Sequence, residues 1–97
     1  MHVRVSQVKV QAEKVDEAIQ LYRDSVLPAL EGQEGFVSAE LLVQRESGRG
    51  ISITRWESED LLTASELSGF YREQITKFAG LFDVAPVRDA FEVGASS

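Results

Sequence analysis

The sequence predicts one α+β domain with a ferredoxin-like fold, in which two helices cover one side of a four-stranded antiparallel sheet. Three observations support this prediction. The chain has 97 residues, which suits a single domain. Apolar residues alternate in some segments and recur at helical spacing in others. These segments follow one another in the order β-α-β-β-α-β, which is the split βαβ pattern.

The first strand is rich in valine. β-branched residues alternate with polar ones from Val3 to Val10, but the alternation skips phase after Val5. A bulge near Ser6 or Gln7 explains the skip, and so does a strand that is buried on both faces.

The first helix is expected from about residue 14 to residue 31. Its apolar residues share one stripe, and most of its charged residues lie on the other side. Pro28 falls inside the pattern, where its ring clashes with the carbonyl four residues earlier. We therefore expect a kink between residues 24 and 28, and a helix end at Gly32 and Gly35.

Two further strands are expected to form a hairpin. The segments Phe36–Gln44 and Ile51–Trp56 alternate, and a polar turn containing Ser47-Gly48 and Gly50 separates them. Both faces of the second strand carry large apolar groups. The third strand has isoleucine on one face and Trp56 on the other.

The second helix and the last strand complete the pattern. Ser58 is a good N-cap, and Gly69 is expected to break or bend the helix that follows. The last strand spans residues 87–93. The domain therefore fills residues 1–97, with a core from about 3 to 93 and a frayed tail at 94–97.

The sheet predicts a partner. Two helices can cover only one face of a four-stranded sheet, and the other face also carries apolar side chains. A second copy of the same sheet is the simplest cover, so we expect a homodimer.

Composition excludes several classes of function. The net charge of −6 disfavours nucleic acid as a partner, because an acidic protein repels phosphates. The chain has no cysteine, which excludes a disulfide scaffold, a thiolate metal site and a cysteine nucleophile. Nothing resembles a signal peptide or a membrane span, so we expect a cytoplasmic protein with no membrane partner.

Three local features together resemble a known family. Tyr22 precedes the segment 26–30, which ends the first helix through a proline. Residues 34–36 (Glu-Gly-Phe) open the second strand, and residues 56–59 (Trp-Glu-Ser-Glu) end a strand and begin a helix. From about residue 3 to residue 93 the chain resembles the antibiotic biosynthesis monooxygenase (ABM) family, part of the dimeric α/β-barrel superfamily. The resemblance implies that two sheets form a barrel across a homodimer, with a pocket between each sheet and its helices.

The resemblance also implies a range of functions. Some members oxidise polycyclic aromatic compounds with molecular oxygen and no metal, flavin or haem, because the substrate supplies the electrons. Others degrade haem or process small signalling molecules. We expect a cofactor-independent monooxygenase that oxidises a small aromatic or quinol-like compound. Two alternatives remain: a non-catalytic dimeric module that binds a small apolar molecule, and a small isomerase or decarboxylase on the same scaffold.

Candidate catalytic residues follow from the same resemblance. Trp56 matches the strand-end tryptophan of the polyketide-oxidising members, and Arg72 is the nearest match to their helical arginine. Ser52 and Leu62 stand where those members have a pocket asparagine and tyrosine. Further candidates for the substrate pocket are Gln7, Tyr22 and Tyr71. For Trp56 and the two tyrosines, packing in the core is the alternative interpretation.

Haem is disfavoured as a cofactor, and no metal is expected. The haem-degrading members use an asparagine on the first strand, then a tryptophan and an axial histidine on the second helix. The matching positions here are Gln7, Ser65 and Ile75. The only histidine is His2, at the N-terminus, so neither haem nor a zinc or iron site has a suitable ligand.

Overall fold

A computed structural model describes all residues, 1–97. The β1, β2, β3 and β4 strands are His2–Lys9, Phe36–Gln44, Arg49–Trp56 and Val87–Glu92. A 3₁₀ turn at Ala12–Lys14 leads into α1 (Val15–Leu21), a π-helical turn (Tyr22–Val26) and α2 (Leu27–Glu31). The second helical segment consists of α3 (Glu59–Leu67) and α4 (Phe70–Thr76). None of these helices combines the length and the apolar character that crossing a membrane requires.

The strands form one antiparallel sheet in the order β2-β3-β1-β4. The predicted α+β class, the element order and the four-stranded antiparallel sheet are therefore confirmed. The hydrophobic core lies between one face of this sheet and the helices, and it includes Val15 and Tyr22 from the first helical segment and Leu62 from α3.

The bulge expected near Ser6 or Gln7 is absent. β1 pairs with β3 without interruption from His2 to Lys9, so the phase skip in its valines reflects apolar side chains on both faces. The irregularity lies in β2, between Phe36 and Ser38. It turns the Phe36 ring toward the helices, where it meets Trp56 edge-on with ring centroids 5.8 Å apart.

The kink predicted before Pro28 takes the form of the π-helical turn. Because Pro28 has no N–H to donate to the carbonyl of Asp24, the helix re-forms with a wider turn. The Leu27 N–H reaches back five residues to the carbonyl of Tyr22. Both Tyr22 and Val26 are buried within this turn.

Glycines make two of the connections possible. Gly48 ends the β2–β3 hairpin turn with φ +79°, and a Cβ there would lie 2.0 Å from the Val10 carbonyl oxygen. Gly69, with φ +87°, separates α3 from α4 as predicted.

Ser58 caps α3, accepting a 3.2 Å hydrogen bond from the Leu61 N–H.

The sheet face turned away from the helices is rich in apolar side chains. We call it the open sheet face. Strand alternation and register place on it the apolar residues Val3, Val5, Leu42, Ile51, Ile53, Val87 and Phe91, together with the polar residues Gln7, Ser38, Glu40, Arg55 and Asp89. Leu42, Val87 and Phe91 are among the exposed large hydrophobic residues of the chain. The single chain therefore leaves a largely apolar sheet face exposed to solvent.

Candidate functional site

A cavity lies between the helix-facing side of the sheet and the helical segments. Its volume is about 70 Å³, counted as the space open to the centre of a water-sized sphere. Most of its lining is hydrophobic, and residues of one chain form it completely. Enclosed apolar cavities with a few polar groups are typical small-molecule sites.

The floor of this cavity is polar. Register pairs Arg4 of β1 with Thr54 of β3, and Ser6 with Ser52, on the helix-facing side of the two central strands. All four line the cavity, and we call them the polar floor. Arg4, Ser6 and Thr54 are buried although each is polar. At these four positions the central strands are polar on the covered side, whereas Val3, Val5, Ile51 and Ile53 are apolar on the open side, the reverse of the usual pattern.

Two tyrosines reach the polar floor from opposite helical segments. The Tyr22 hydroxyl lies 2.9 Å from Ser52 Oγ, and the Tyr71 hydroxyl lies 2.9 Å from Ser6 Oγ. Since Ser6 and Ser52 are direct cross-strand partners, the two Tyr–Ser pairs converge on one place. In each pair one hydroxyl donates and the other accepts, so the accepting hydroxyl keeps its own proton.

Tyr22 stays protonated well into the alkaline range. Burial raises the pKa of its phenol, while the hydrogen bond to Ser52 opposes this and the nearby Glu40 carboxylate adds to it. Its hydroxyl also donates a long 3.4 Å bond to the Glu40 carbonyl. At neutral pH Tyr22 is therefore a hydrogen-bonding group and not a base.

Arg4 is the buried charge of the site, with only 2% of its surface exposed. Its Nε donates to Glu66 at 3.1 Å, and its Nη2 donates to the Leu62 carbonyl and to Ser65 Oγ. Burial lowers the pKa of this guanidinium, and Glu66 opposes that effect. The guanidinium carbon lies 4.5 Å from the centroid of the Tyr71 ring, a cation–π contact.

The structure places three of the sequence candidates at the cavity. Tyr22, Ser52 and Tyr71 line it and belong to the two hydroxyl pairs. Their role toward a substrate stays a prediction.

Trp56 and Leu62 lie elsewhere. Trp56 is completely buried, does not line the cavity, and donates its indole N–H to Thr54 Oγ1 at 2.9 Å. Leu62 is a core residue whose side chain does not line the cavity. The structure therefore does not place these two residues at the cavity: Trp56 bonds Thr54 and packs beside Phe36, and Leu62 lies in the core.

Gln7 and Arg72 also lie away from the cavity. Gln7 is exposed on the open sheet face, because odd-numbered residues of β1 point away from the helices. Arg72 is exposed on α4 and does not line the cavity, although its neighbour Tyr71 does. The structure therefore does not bring Gln7 or Arg72 to the cavity, whereas their chain neighbours Ser6 and Tyr71 line it.

Sequence reasoning missed Arg4, Ser6 and Thr54 as site residues. The missed signal is that the helix-facing positions of β1 and β3 are polar in register, Arg4 beside Thr54 and Ser6 beside Ser52. Val3 and Val5 suggested that their own side of β1 faces the helices, but the side that faces the helices carries Arg4 and Ser6.

A shallower groove lies outside the cavity, along the edge strand β2. Its volume is about 200 Å³, and Ile19, Arg23, Ala39 and Glu40 are among its walls. It is larger than the cavity but more open, and it lacks the polar floor. The enclosed cavity is therefore the better candidate site.

The donor chemistry of the cavity does not fit haem or a metal. Its lining contains no histidine, cysteine or methionine, and both of its phenols are hydrogen-bonded to serines. His2 lies at the end of β1, 3.0 Å from a Glu59 carboxylate oxygen. No three His, Cys, Asp or Glu side chains come together as a metal site.

The fold is that of a ferredoxin-like α+β protein, and it holds a largely apolar cavity between sheet and helices. The family model for antibiotic biosynthesis monooxygenase matches residues 1–77. The chain therefore belongs to the antibiotic biosynthesis monooxygenase family.

A curated relative is longer than this chain. Uncharacterized protein Rv2557 of Mycobacterium tuberculosis is 50% identical over 60 residues, which are 62% of this chain and 27% of that protein. The match thus spans about a quarter of the length of the relative.

Solved structures share the fold. SnoaB, a cofactor-independent oxygenase from Streptomyces nogalater, has a TM-score of 0.74 at 15% identity, over 98% of this chain and 94% of that one. MhuD, in a variant with two manganese protoporphyrin IX molecules bound per active site, has a TM-score of 0.77 at 22% identity, over 100% and 98% of the chains. One of these proteins works without a cofactor and the other binds a porphyrin, so the fold alone does not decide the chemistry.

Proposed function

We propose that this protein is a cofactor-independent monooxygenase that oxidises a small aromatic or quinol-like compound with molecular oxygen. The observation that carries the proposal is the convergence of two Tyr–Ser pairs on the floor of an enclosed apolar cavity. Membership of the antibiotic biosynthesis monooxygenase family supports it, as does the likeness in fold to a cofactor-independent oxygenase.

The reaction needs no external reductant, because a quinol can supply all the electrons. A quinol and one oxygen molecule give a hydroxyquinone and one water molecule. One oxygen atom enters the ring, and the other leaves as water with the two hydrogens that the substrate loses.

The residues of the cavity suit this reaction in two ways. The apolar walls, which include Val8, Val26 and Phe78, can hold a flat ring and exclude bulk water. In the Ser6–Tyr71 pair, the hydroxyl that accepts still has its own proton. This hydroxyl can donate a hydrogen bond to a substrate oxygen as negative charge develops on that oxygen. Tyr22 holds Ser52 in place as a neutral phenol.

The proposed oligomer is a homodimer in which two open sheet faces pack into a barrel. The apolar side chains that remain exposed on that face support this arrangement. The cavity is complete within one chain, so the partner contributes to stability and not to the lining described here.

Oxygen uptake with an isotope label tests the activity. We expect chelator-treated protein to consume one oxygen molecule per 1,4-naphthohydroquinone, and to place one ¹⁸O atom from ¹⁸O₂ in 2-hydroxy-1,4-naphthoquinone. Catalase and a protein-free reaction control for spontaneous oxidation, which yields unlabelled quinone and peroxide.

A pair of serine variants links the activity to the polar floor. Ser6→Ala should lower kcat by at least about tenfold, because a donor near the developing charge is lost. Ser96→Ala, at an exposed serine beyond β4 and away from the cavity, is the matched control and should leave kcat unchanged.

The same assay decides between the alternative functions. Binding of the quinol with no labelled product would contradict the proposal and support a non-catalytic binding module. Conversion of a ligand without oxygen uptake would instead support an isomerase or decarboxylase.

A further inference from the structure

Arg4 has hydrogen-bond donors with no acceptor in the protein. Nε and Nη2 account for its hydrogen bonds, to Glu66, Leu62 and Ser65, while Nη1 has none. No fully buried side-chain nitrogen or oxygen lacks a partner, so Nη1 must retain accessible surface. Arg4 is 98% buried and lines the cavity, so the cavity is the space in which a ligand could reach Nη1.

The charges around the cavity are cationic. Arg4 and Arg49 are the two charged side chains in its lining, and the lining contains no carboxylate. Behind the Tyr71 ring, Glu66 is shared between Arg4 Nε at 3.1 Å and Arg88 Nε at 3.4 Å. Two guanidinium groups therefore share one carboxylate, so Glu66 does not fully neutralise the buried Arg4, while the second group, Arg88, is 53% exposed to water.

A buried cation with free donors favours a ligand that brings its own negative charge. Taking an unbalanced charge out of water is costly unless an opposite charge and hydrogen bonds compensate it. A guanidinium nitrogen with two free N–H groups binds a carboxylate well, because charge-assisted hydrogen bonds are short and strong. The Ser6–Tyr71 pair lies beside it, with the Tyr71 ring 4.5 Å from the Arg4 guanidinium carbon, and offers one further hydroxyl proton.

We propose that the ligand of this cavity carries an ionised carboxylate, which Arg4 binds through Nη1 while the apolar walls enclose the rest of the molecule. This deepens the proposed function by stating the charge of its substrate, and it rests on that function only for the aromatic body. In this assignment Arg4 is a binding residue and Glu66 is the internal counter-ion with which the ligand competes.

Benzoate and benzamide test the proposal, since they differ in charge and hardly in shape. By isothermal titration calorimetry on the full chain, benzoate should bind at least about tenfold more tightly than benzamide. Equal affinities, or tighter binding of benzamide, would overturn the proposal.

Glu66→Gln gives a test that does not remove the buried arginine. Without the competing carboxylate, Arg4 and Arg88 attract an anion more strongly, so benzoate should bind about fivefold more tightly and benzamide no differently. If the benzoate affinity is unchanged or falls, the assignment of Arg4 as the anion site is wrong.

Arginine variants provide the matched comparison. Arg4→Met should abolish the preference for benzoate, whereas Arg72→Met, which removes the same charge from an exposed position on α4, should leave it unchanged. An equal loss in both variants would overturn the proposal. Circular dichroism checks that Arg4→Met folds, and Glu66→Gln decides the matter if it does not.

The two proposals can fail separately. Labelled product from the quinol with no benzoate preference would refute the carboxylate assignment alone. A benzoate preference with no labelled product would refute the oxygenase and leave the anion site standing.

Discussion

Removing Phe91 from the open sheet face should dissociate the proposed dimer. Phe91 lies opposite Val3 in the register of β1 and β4, and 55% of its surface is exposed in the single chain. A phenylalanine presents about 200 Å², so roughly 100 Å² of it remains to be buried by a partner. At about 25 cal/mol per Å² this burial is worth about 2.5 kcal/mol per chain.

Twofold symmetry doubles the effect, because each chain contributes the same residue to an isologous interface. Phe91→Ala should therefore cost about 5 kcal/mol per dimer and raise the dimer dissociation constant roughly four thousandfold. Sedimentation velocity over a range of concentrations measures that constant directly.

Leu67→Ala is the matched control. Leu67 is 83% exposed, but it lies on α3, on the other side of the sheet from the proposed interface. It should leave the dissociation constant unchanged. A wild-type chain that is monomeric at micromolar concentration, or equal dissociation in the two variants, would refute the reasoning.

Three further predictions concern the chain itself. Gly48→Ala should destabilise the fold by about 3 kcal/mol and lower Tm by roughly 15 °C in a thermal melt, because of the positive φ and the contact with the Val10 carbonyl. Trp56→Phe should cost about 2 kcal/mol in urea unfolding, since Thr54 loses its indole donor, but should leave the KM for the quinol unchanged. Wild type should lose stability as pH rises from 10 through the raised pKa of Tyr22, because the unfolded chain releases that proton first; Tyr22→Phe should show a smaller loss between pH 8 and pH 11 in the same assay.

The fold could be predicted from the sequence because its signals are local. The proline at position 28 and the glycines at 48 and 69 restrict the backbone by themselves, and Ser58 supplies its own cap. The bulge in β2 could not be predicted in this way. It depends on how Phe36 packs against Trp56, which is a tertiary contact.

The candidate site was predicted only in part. Tyr22 and Tyr71 lie on helical segments whose apolar residues recur at helical spacing, which indicates the side that faces the sheet. The structure places both tyrosines at the cavity. Arg4 and Ser6 were missed because a polar residue on a strand is normally assigned to the solvent face. Only the pairing of β1 with β3 shows that the polar positions of the two strands lie side by side under the helices.

The family pattern left two interpretations of Trp56 open, a pocket residue and a core residue. A tryptophan at the end of a strand can face a cavity or the core, and the sequence does not distinguish the two. In the structure its indole N–H is already used by Thr54, so the residue supports the polar floor instead of touching a ligand.

Side-chain methyl NMR during a titration with 1-naphthoate tests the central claim, that the cavity above the polar floor is the ligand site. The methyl groups divide cleanly by location. Those that line the cavity and not the groove beside β2 include the methyl groups of Val8, Val10, Val15 and Val26. Those on the open sheet face belong to Val3, Val5, Ile51 and Ile53. We predict that the shifts change for the first set and not for the second. Changes confined to the open sheet face, or to Ile19 in the groove beside β2, would contradict this account.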